Sequence, residues 1–191
     1  SNPFNNVIFL DNHDMTRFAT SVKGDINKQK MGFAALLTMR GIPQIFYGME
    51  LGMLGDGNNH GTLRADMPGG WKGDTKNVFT ATGRSAEQNE LFNYLKAILN
   101  WRKTKSVIHT GKFMHFIPEN GIYVYFRYTD SESVMVILNN NEEAKTLETK
   151  RFNERLNGFS SGKNVVTSET LTNLQNLSLP GKSATIVELQ K

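Results

Sequence analysis

The sequence predicts an α/β plus all-β fold, in which parallel strand–helix units are followed by an antiparallel β-sandwich. In the first half, short apolar runs alternate with amphipathic helical patterns, which is typical of parallel βα units. After Thr104, β-branched and aromatic runs recur between turn-forming clusters, which is typical of antiparallel strands. We therefore predict two domains, residues 1–104 and residues 105–191.

The first strand–helix unit is predicted from two adjacent patterns. Residues 6–10 (NVIFL) are almost continuously apolar, which predicts a short buried strand. Residues 25–40 have a broad apolar helical face, with Asp25 or Asn27 available to cap the start and Gly41 to end the helix. This unit predicts a strand followed by a helix that packs on it.

The second unit repeats this order with a longer connection. Residues 42–47 (IPQIFY) form another apolar run, which predicts a strand. The glycine-rich stretch 48–83 predicts a long irregular loop, and loops of that length in compact proteins are usually functional or disordered. Residues 85–88 (SAEQ) form a capping box, which predicts a helix that begins there and continues to about residue 103.

The second half contains three clear strand patterns. Residues 121–128 (GIYVYFRY), 133–139 (SVMVILN) and 184–189 (ATIVEL) are rich in β-branched and aromatic residues. Clusters such as PENG, TDSES and NNNEE separate them. Short strands at this spacing predict an antiparallel sandwich or barrel.

Composition excludes several classes of protein. The net charge is +4, from 22 basic and 18 acidic residues, and no basic run exceeds two residues, so we expect no nucleic-acid partner. The apolar runs are too short to span a bilayer, so we expect no membrane partner. The sequence contains no cysteine, which excludes disulfides, thiolate metal sites and a cysteine nucleophile.

The first residues of the sequence and its lack of cysteine say little about the natural start of the protein or its cellular compartment. No Met opens it, and Ser1-Asn2 resembles a cloning remnant, so we expect that residue 1 is not the natural start. A cysteine-free chain fits any compartment; we favour a periplasmic or secreted location over a cytoplasmic one.

A polar cluster follows the first predicted strand in FLDNHDMTRF, residues 9–18. The carboxyl end of a parallel strand is where βα loops build active sites, so we expect Asp11, His13 and Asp14 near that rim. Carboxylates beside an imidazole suit metal ligation, acid–base catalysis or the binding of sugar hydroxyls and developing positive charge. The alternative is an Asx-turn formed by Asn12 and Asp14, with His13 half-buried.

The segment FLDNHDMTRF resembles the last conserved segment of the α-amylase family of glycoside hydrolases. Downstream, GIPQIFYGMELGM at 41–53 resembles the family's eighth-strand segment, and VILNNN at 136–141 resembles a central strand of its C-terminal domain. The resemblance covers essentially the whole chain. It implies strands seven and eight of a (β/α)8 TIM barrel, an incomplete barrel fragment, followed by an antiparallel β-sandwich domain.

The loop GDGNNHGTLRADMPGGW, residues 55–71, is most similar to that of neopullulanase or cyclomaltodextrinase-type enzymes. This resemblance implies that Arg64 binds substrate, with Asp56 as a partner; the alternative is a solvated glycine-rich loop. Trp71 either stacks on a sugar or pins the loop to the barrel, and pinning is the commoner role. Asp56 begins DGNN, which has oxygen ligands suited to calcium but is more typical of a turn.

The resemblance also implies catalytic roles and a missing part. Asp14 resembles the carboxylate that stabilises the transition state of a retaining glycosidase, and His13 would bind substrate hydroxyls. Arg17 and Phe18 are expected to anchor the loop. The family's nucleophile and general acid lie in segments of strands four and five, and no similar segment occurs here. We therefore expect this chain to be inactive alone.

The implied substrates are α-glucans: starch, maltooligosaccharides, pullulan or cyclodextrins. We expect no cofactor or metal in this portion, with calcium a candidate ligand of the complete enzyme. Exposed barrel edges predict self-association. Two alternatives are a non-catalytic carbohydrate-binding or structural module and a catalytically dead relative of the family.

Overall fold

The computed structural model describes residues 2–191, and helices dominate its first part whereas strands dominate the second. The helices are α1 (Phe18–Ser21), α2 (Ile26–Thr38), α3 (His60–Leu63), α4 (Ala86–Arg102), α5 (Ser106–His109) and α6 (Asn153–Leu156). The strands are β1 (Val7–Ile8), β2 (Ile42–Pro43), β3 (Lys112–His115), β4 (Ile122–Tyr128), β5 (Ser133–Asn139), β6 (Lys145–Glu148), β7 (Ser161–Asn164), β8 (Thr170–Leu171), β9 (Asn176–Leu179) and β10 (Ser183–Gln190).

Strands β1 and β2 pair in parallel, as the βα pattern predicts. Val7 lies opposite Ile42, and Ile8 lies opposite Pro43. Both strands are shorter than predicted. Val7 is 52% exposed, so the prediction of a buried first strand is wrong for this residue, and Ile42 in the second strand is 54% exposed. Each strand has a single neighbour within the described chain, which limits its hydrogen bonds and leaves apolar side chains uncovered.

Helix α2 begins at the predicted cap. The Asp25 carboxylate accepts hydrogen bonds from the amides of Asn27 and Lys28, at 2.9 and 3.0 Å. The prediction that Gly41 ends this helix is wrong, because the helix stops at Thr38. Gly41 has φ +125°, and a Cβ there would lie 2.8 Å from the Asn6 carbonyl oxygen, so its glycine permits close approach to β1 instead.

Helix α4 begins with the predicted capping box. The Ser85 hydroxyl accepts from the Gln88 amide, and the Gln88 side chain accepts from the Ser85 amide. Leu91, Leu95 and Ile98 form its buried face, which packs against α2. The two long helices therefore lie side by side, as expected for neighbouring strand–helix units.

The second half is a sandwich of two antiparallel sheets. The larger sheet has the strand order β3-β4-β5-β10-β7-β8, and the smaller one pairs β6 with β9. Alternate residues of β5 point to opposite faces: Val134 and Val136 pack towards the helices, and Met135 and Ile137 pack in the core between the sheets. The predicted fold class, barrel units followed by an antiparallel β domain, is confirmed.

One hydrophobic core joins the two halves of the chain. Phe33 and Leu37 of α2 and Leu95 of α4 belong to the same cluster as Val136 and Ile186 of the large sheet. The division between residues 104 and 105 stays a prediction, since this core continues across it.

Two arginines cap the C-terminal end of α2 from other elements. Arg102 donates to the Leu37 carbonyl at 2.7 Å, and the fully buried Arg127 of β4 donates to the Thr38 carbonyl at 2.8 Å. Burial lowers the pKa of Arg127 to about 10, so the guanidinium remains charged at neutral pH. A cation at this end of a helix is favourable because the helix dipole is negative there.

Candidate functional site

The loop after β1 turns the Asp14 side chain outwards. The Asn12 side chain accepts a hydrogen bond from the Asp14 amide at 2.9 Å, which forms an Asx-turn. The turn alternative from the sequence is therefore present in the backbone. The turn uses the Asp14 amide and leaves the Asp14 carboxylate free to bind other groups. The side chains of His13 and Asp14 are each 63% exposed, so His13 is not half-buried.

Three of the four predicted site residues meet at this loop. Arg64 Nη2 donates to Asp14 Oδ1 at 2.8 Å, and Arg64 Nε donates to the His13 carbonyl at 3.0 Å. His13 Nε2 lies 3.1 Å from Asp14 Oδ2. The Asp14 carboxylate therefore lies between a guanidinium and an imidazole, an arrangement that we call the Asp14 cluster.

Asp56, the fourth predicted residue, lies apart from the Asp14 cluster. Its Oδ1 accepts hydrogen bonds from the Asn58 amide and from the Asn58 side chain, at 2.9 and 3.2 Å. Among the hydrogen bonds and ion pairs of residues 2–191, none joins the Asp56 carboxylate to His13 or Asp14. DGNN thus adopts a turn, and a substrate-binding role for Asp56 stays a prediction.

Asp11 is buried beneath the loop that carries His13 and Asp14. It is 1% exposed, and its Oδ2 accepts from the Phe18 amide at 2.7 Å. Burial raises the pKa of Asp11, while the Phe18 amide and the Arg17 charge partly offset that rise. Asp11 thus lies just beyond the carboxyl end of β1, as expected, but its side chain is buried. Its neighbours on the loop bring it under the protein surface.

Arg17 holds the loops that carry the cluster, as the sequence predicted. It is fully buried; its Nε donates to the Leu63 carbonyl at 3.0 Å and its Nη1 to the Tyr47 carbonyl at 2.6 Å. The Arg17 amide also donates to the Gly55 carbonyl at 2.9 Å. Because Leu63 directly precedes Arg64, this anchor fixes the backbone from which Arg64 reaches Asp14.

Two threonines that the sequence did not single out support the same junction. The Thr16 hydroxyl accepts from the Gly57 amide at 3.0 Å, and the Thr20 hydroxyl accepts from the Gly55 amide at 2.8 Å. These contacts join residues 41 and 35 positions apart. No local pattern of the sequence reports such a contact.

Trp71 is 68% exposed, so its ring is not packed against the described part of the chain. Pinning of the loop against a complete barrel stays a prediction. The Asp74 carboxylate holds the turn, by accepting hydrogen bonds from the amides of Gly69 and Trp71 at 2.6 and 3.1 Å.

The described residues offer neither a metal cluster nor a membrane span. Within residues 2–191, no three side chains of His, Asp or Glu gather closely enough to hold a metal ion. No helix in the same range has the length and apolar character needed to cross a bilayer. Calcium in a complete enzyme stays a prediction.

Comparison with known protein families shows which family this chain belongs to. Residues 1–111, more than half of the chain, match the family described as "Alpha amylase, catalytic domain". The chain belongs to the α-amylase family. Residues 113–188 of this α-amylase-family chain match a second family, described as "Cyclo-malto-dextrinase C-terminal domain". The family resemblance inferred from the sequence is confirmed.

Two curated relatives are similar over most of this α-amylase-family chain. A cyclomaltodextrin glucanotransferase from Bacillus sp. (strain 6.6.3) is 29% identical over 87% of the chain, and a cyclomaltodextrinase from Bacillus sp. is 28% identical over 80%. The chain spans only 22% and 24% of the lengths of these relatives.

Solved structures support the fold of the α-amylase-family chain. The α-amylase from Geobacillus thermoleovorans, crystallised with acarbose, superposes with a TM-score of 0.74 and 22% identity. The superposition covers 99% of this chain and 40% of that one.

Proposed function

We propose that this chain is part of a retaining α-glucan hydrolase that acts on starch, maltooligosaccharides, pullulan or cyclodextrins. The observation that carries the proposal is the Asp14 cluster, which lies just beyond the carboxyl end of β1, where barrel enzymes place their active sites. The names of the relatives, cyclomaltodextrinase and cyclomaltodextrin glucanotransferase, support cyclic α-glucans within this substrate class.

In this proposal Asp14 stabilises the positive charge that develops on the sugar ring. Hydrolysis of a glycosidic bond passes through an oxocarbenium-like transition state, and a fixed carboxylate close to that charge lowers its energy. Arg64 holds one oxygen of Asp14, which leaves the other, beside His13, to face the substrate. His13 and Arg64 then bind hydroxyl groups as hydrogen-bond donors.

The chain alone is proposed to be inactive. Retaining glycosidases need a nucleophile and a general acid about 5 Å apart. Within residues 2–191, Asp14 is the only carboxylate that takes part in the hydrogen bonds and ion pairs of the Asp14 cluster. Hydrolysis of a nitrophenyl maltoside or of a cyclodextrin by the purified 191-residue chain would therefore contradict this part of the proposal.

The role of Asp14 is tested in a longer enzyme that combines this chain with the remainder of a catalytic barrel. Asp14→Asn removes the negative charge and keeps the shape, so we expect kcat/KM to fall by about 10²–10³-fold, mainly through kcat. Asp66→Asn, a change at an exposed aspartate of the loop that carries Arg64, is the matched control and leaves kcat/KM unchanged. Full activity of the Asp14→Asn enzyme would contradict the catalytic role and favour a non-catalytic binding module.

A further inference from the structure

The loop after β1 is closed by the side chain of Asp11. The Asp11 Oδ2 accepts from the amide of Phe18, the first residue of α1, at 2.7 Å. This contact joins residues seven positions apart. His13 and Asp14 therefore lie inside a loop whose two ends are tied together by one carboxylate.

The hydrogen bonds inside this loop shape its turn but do not fix the turn on the chain. The Asn12 side chain accepts from the Asp14 amide at 2.9 Å, and the Asn12 carbonyl accepts from the Met15 amide at 3.4 Å. Both contacts lie within residues 12–15, so they move with the turn as a unit. The Asp11 contact is different, because it ties the start of the turn to α1, which lies against α2.

The Asp11 contact also bears on the position of Arg64. It holds the amide of the residue that follows Arg17, and the Arg17 Nε donates to the Leu63 carbonyl at 3.0 Å, directly before Arg64. Arg64 in turn donates to Asp14 Oδ1 at 2.8 Å. A change at Asp11 that shifts this end of the loop therefore reaches Asp14 along two routes, through its own loop and through Arg64.

Stability alone does not explain a carboxylate at this position. Asp11 is 1% exposed, and its Oδ1 makes no hydrogen bond within residues 2–191. Burial raises the pKa of Asp11, and the Phe18 amide and the Arg17 charge offset only part of that rise. The folded chain therefore holds the ionised form at a net cost, which a neutral side chain of the same shape would avoid. Such costs are typical of functional sites.

We infer that Asp11 is a positioning residue for Asp14, and that its charged hydrogen bond to the Phe18 amide holds the Asp14 cluster in the geometry that catalysis needs. A charge-assisted hydrogen bond is about twice as strong as a neutral one, so a carboxylate holds this loop more tightly than an amide side chain would. Displacement of a group by about 1 Å can lower a rate by about 10²-fold. This inference rests on the proposed function for the role of Asp14.

The first test measures the geometry of the cluster in the 191-residue chain. The Arg64 Nε donates to the His13 carbonyl at 3.0 Å, so its N–H signal in heteronuclear NMR reports this contact, and loss of the signal in Arg64→Met assigns it. We expect Asp11→Ala to move the signal towards that of an exposed arginine, and Asp11→Asn to move it less. Asp25→Ala, the matched control, removes another aspartate that accepts backbone amides at the start of a helix, and it leaves the signal unchanged.

The second test separates positioning from stability in the longer enzyme. Asp11→Ala should lower kcat by about 10²-fold and Asp11→Asn by about three- to tenfold, both with little change in KM. Urea titration should rank the variants differently. Asp11→Asn should unfold at the same urea concentration as the unmodified protein or at a higher one, because it removes a buried charge. Asp25→Ala should unfold at a lower concentration and keep kcat. A fall in kcat without a fall in stability is not produced by a merely structural role.

Three results would overturn the inference. An unchanged Arg64 N–H signal in Asp11→Ala would show that Asp11 does not hold the cluster. An unchanged kcat of Asp11→Asn would assign the contact to folding alone, and this variant decides the matter if Asp11→Ala does not fold. Equal losses of kcat in Asp11→Ala and Asp25→Ala would also assign it to folding. The proposed function fails on a different result, full activity of Asp14→Asn, which does not affect the NMR outcome.

Discussion

Arg17 is a buried cation that joins three segments of the chain through backbone groups. Its carbonyl partners, Tyr47 and Leu63, lie 30 and 46 positions away. The sequence places Arg17 beside Asp14 and so suggests a role in anchoring the loop. It does not reveal which carbonyls accept from the guanidinium, because those contacts depend on how the later loop folds back.

Replacement of Arg17 by Met should destabilise the whole chain. The Leu63 and Tyr47 carbonyls would lose a charged donor inside the protein, so we expect the free energy of unfolding to fall by about 3 kcal/mol or more. Arg64→Met makes the same substitution at an exposed ion pair and should cost about 1 kcal/mol or less. Urea titration followed by circular dichroism compares the two. Equal losses for both variants would show that Arg17 is not an internal anchor.

Helix α2 shows how far sequence predicts an element. Its start is predictable because Asp25 caps the helix through amides two and three residues later, a contact within one turn. Its end is not, because the carbonyls there are held by Arg102 and Arg127, which come from α4 and β4. Local patterns therefore predict the first turn of α2, but they do not predict the two arginine contacts that satisfy the carbonyls of its last turn.

Loss of the Asp25 cap should give a pH-dependent change in stability. The Lys28 amide is the main cause of the lowered pKa of Asp25, so the cap contributes fully above the ordinary pKa of 3.8 and is lost as pH falls through the lowered value. Asp25→Ala should cost about 1 kcal/mol at pH 7, with a smaller difference in acid. Asp25→Asn keeps an acceptor and should lack this pH dependence. A cost of Asp25→Ala that does not change with pH, measured by chemical denaturation, would contradict the charged cap.

At the scale of the whole molecule, the helices and the large sheet share one core. Near-continuous runs of β-branched and aromatic residues predict β4, β5 and β10, because each of these strands faces a core on both sides of the sheet. Strands β6 and β9 are not predicted from the sequence, because their segments KTLE and NLSL contain few apolar residues and lie on the outer layer. Burial on both faces leaves a strong pattern in the sequence, whereas burial on one short face leaves a weak one.

The shared core predicts that both halves unfold together. Arg127→Met would remove the donor to the carbonyls of Thr38, Met39 and Gly111, and we expect it to cost about 3 kcal/mol. Hydrogen exchange read by mass spectrometry should show equal loss of protection in α2 and β5. Loss confined to β5 would mean that the two halves are independent folding units.

During synthesis on the ribosome, the contact between Arg127 and α2 forms only after a delay. Thr38 and Arg127 are 89 positions apart, so at 5–20 residues per second α2 waits about 4–18 seconds for the residue that completes its C-terminal end. During that interval its apolar face is available to chaperones and to other nascent chains. A message truncated before β4 would yield a product held in that state, and quality-control proteases remove such products continuously.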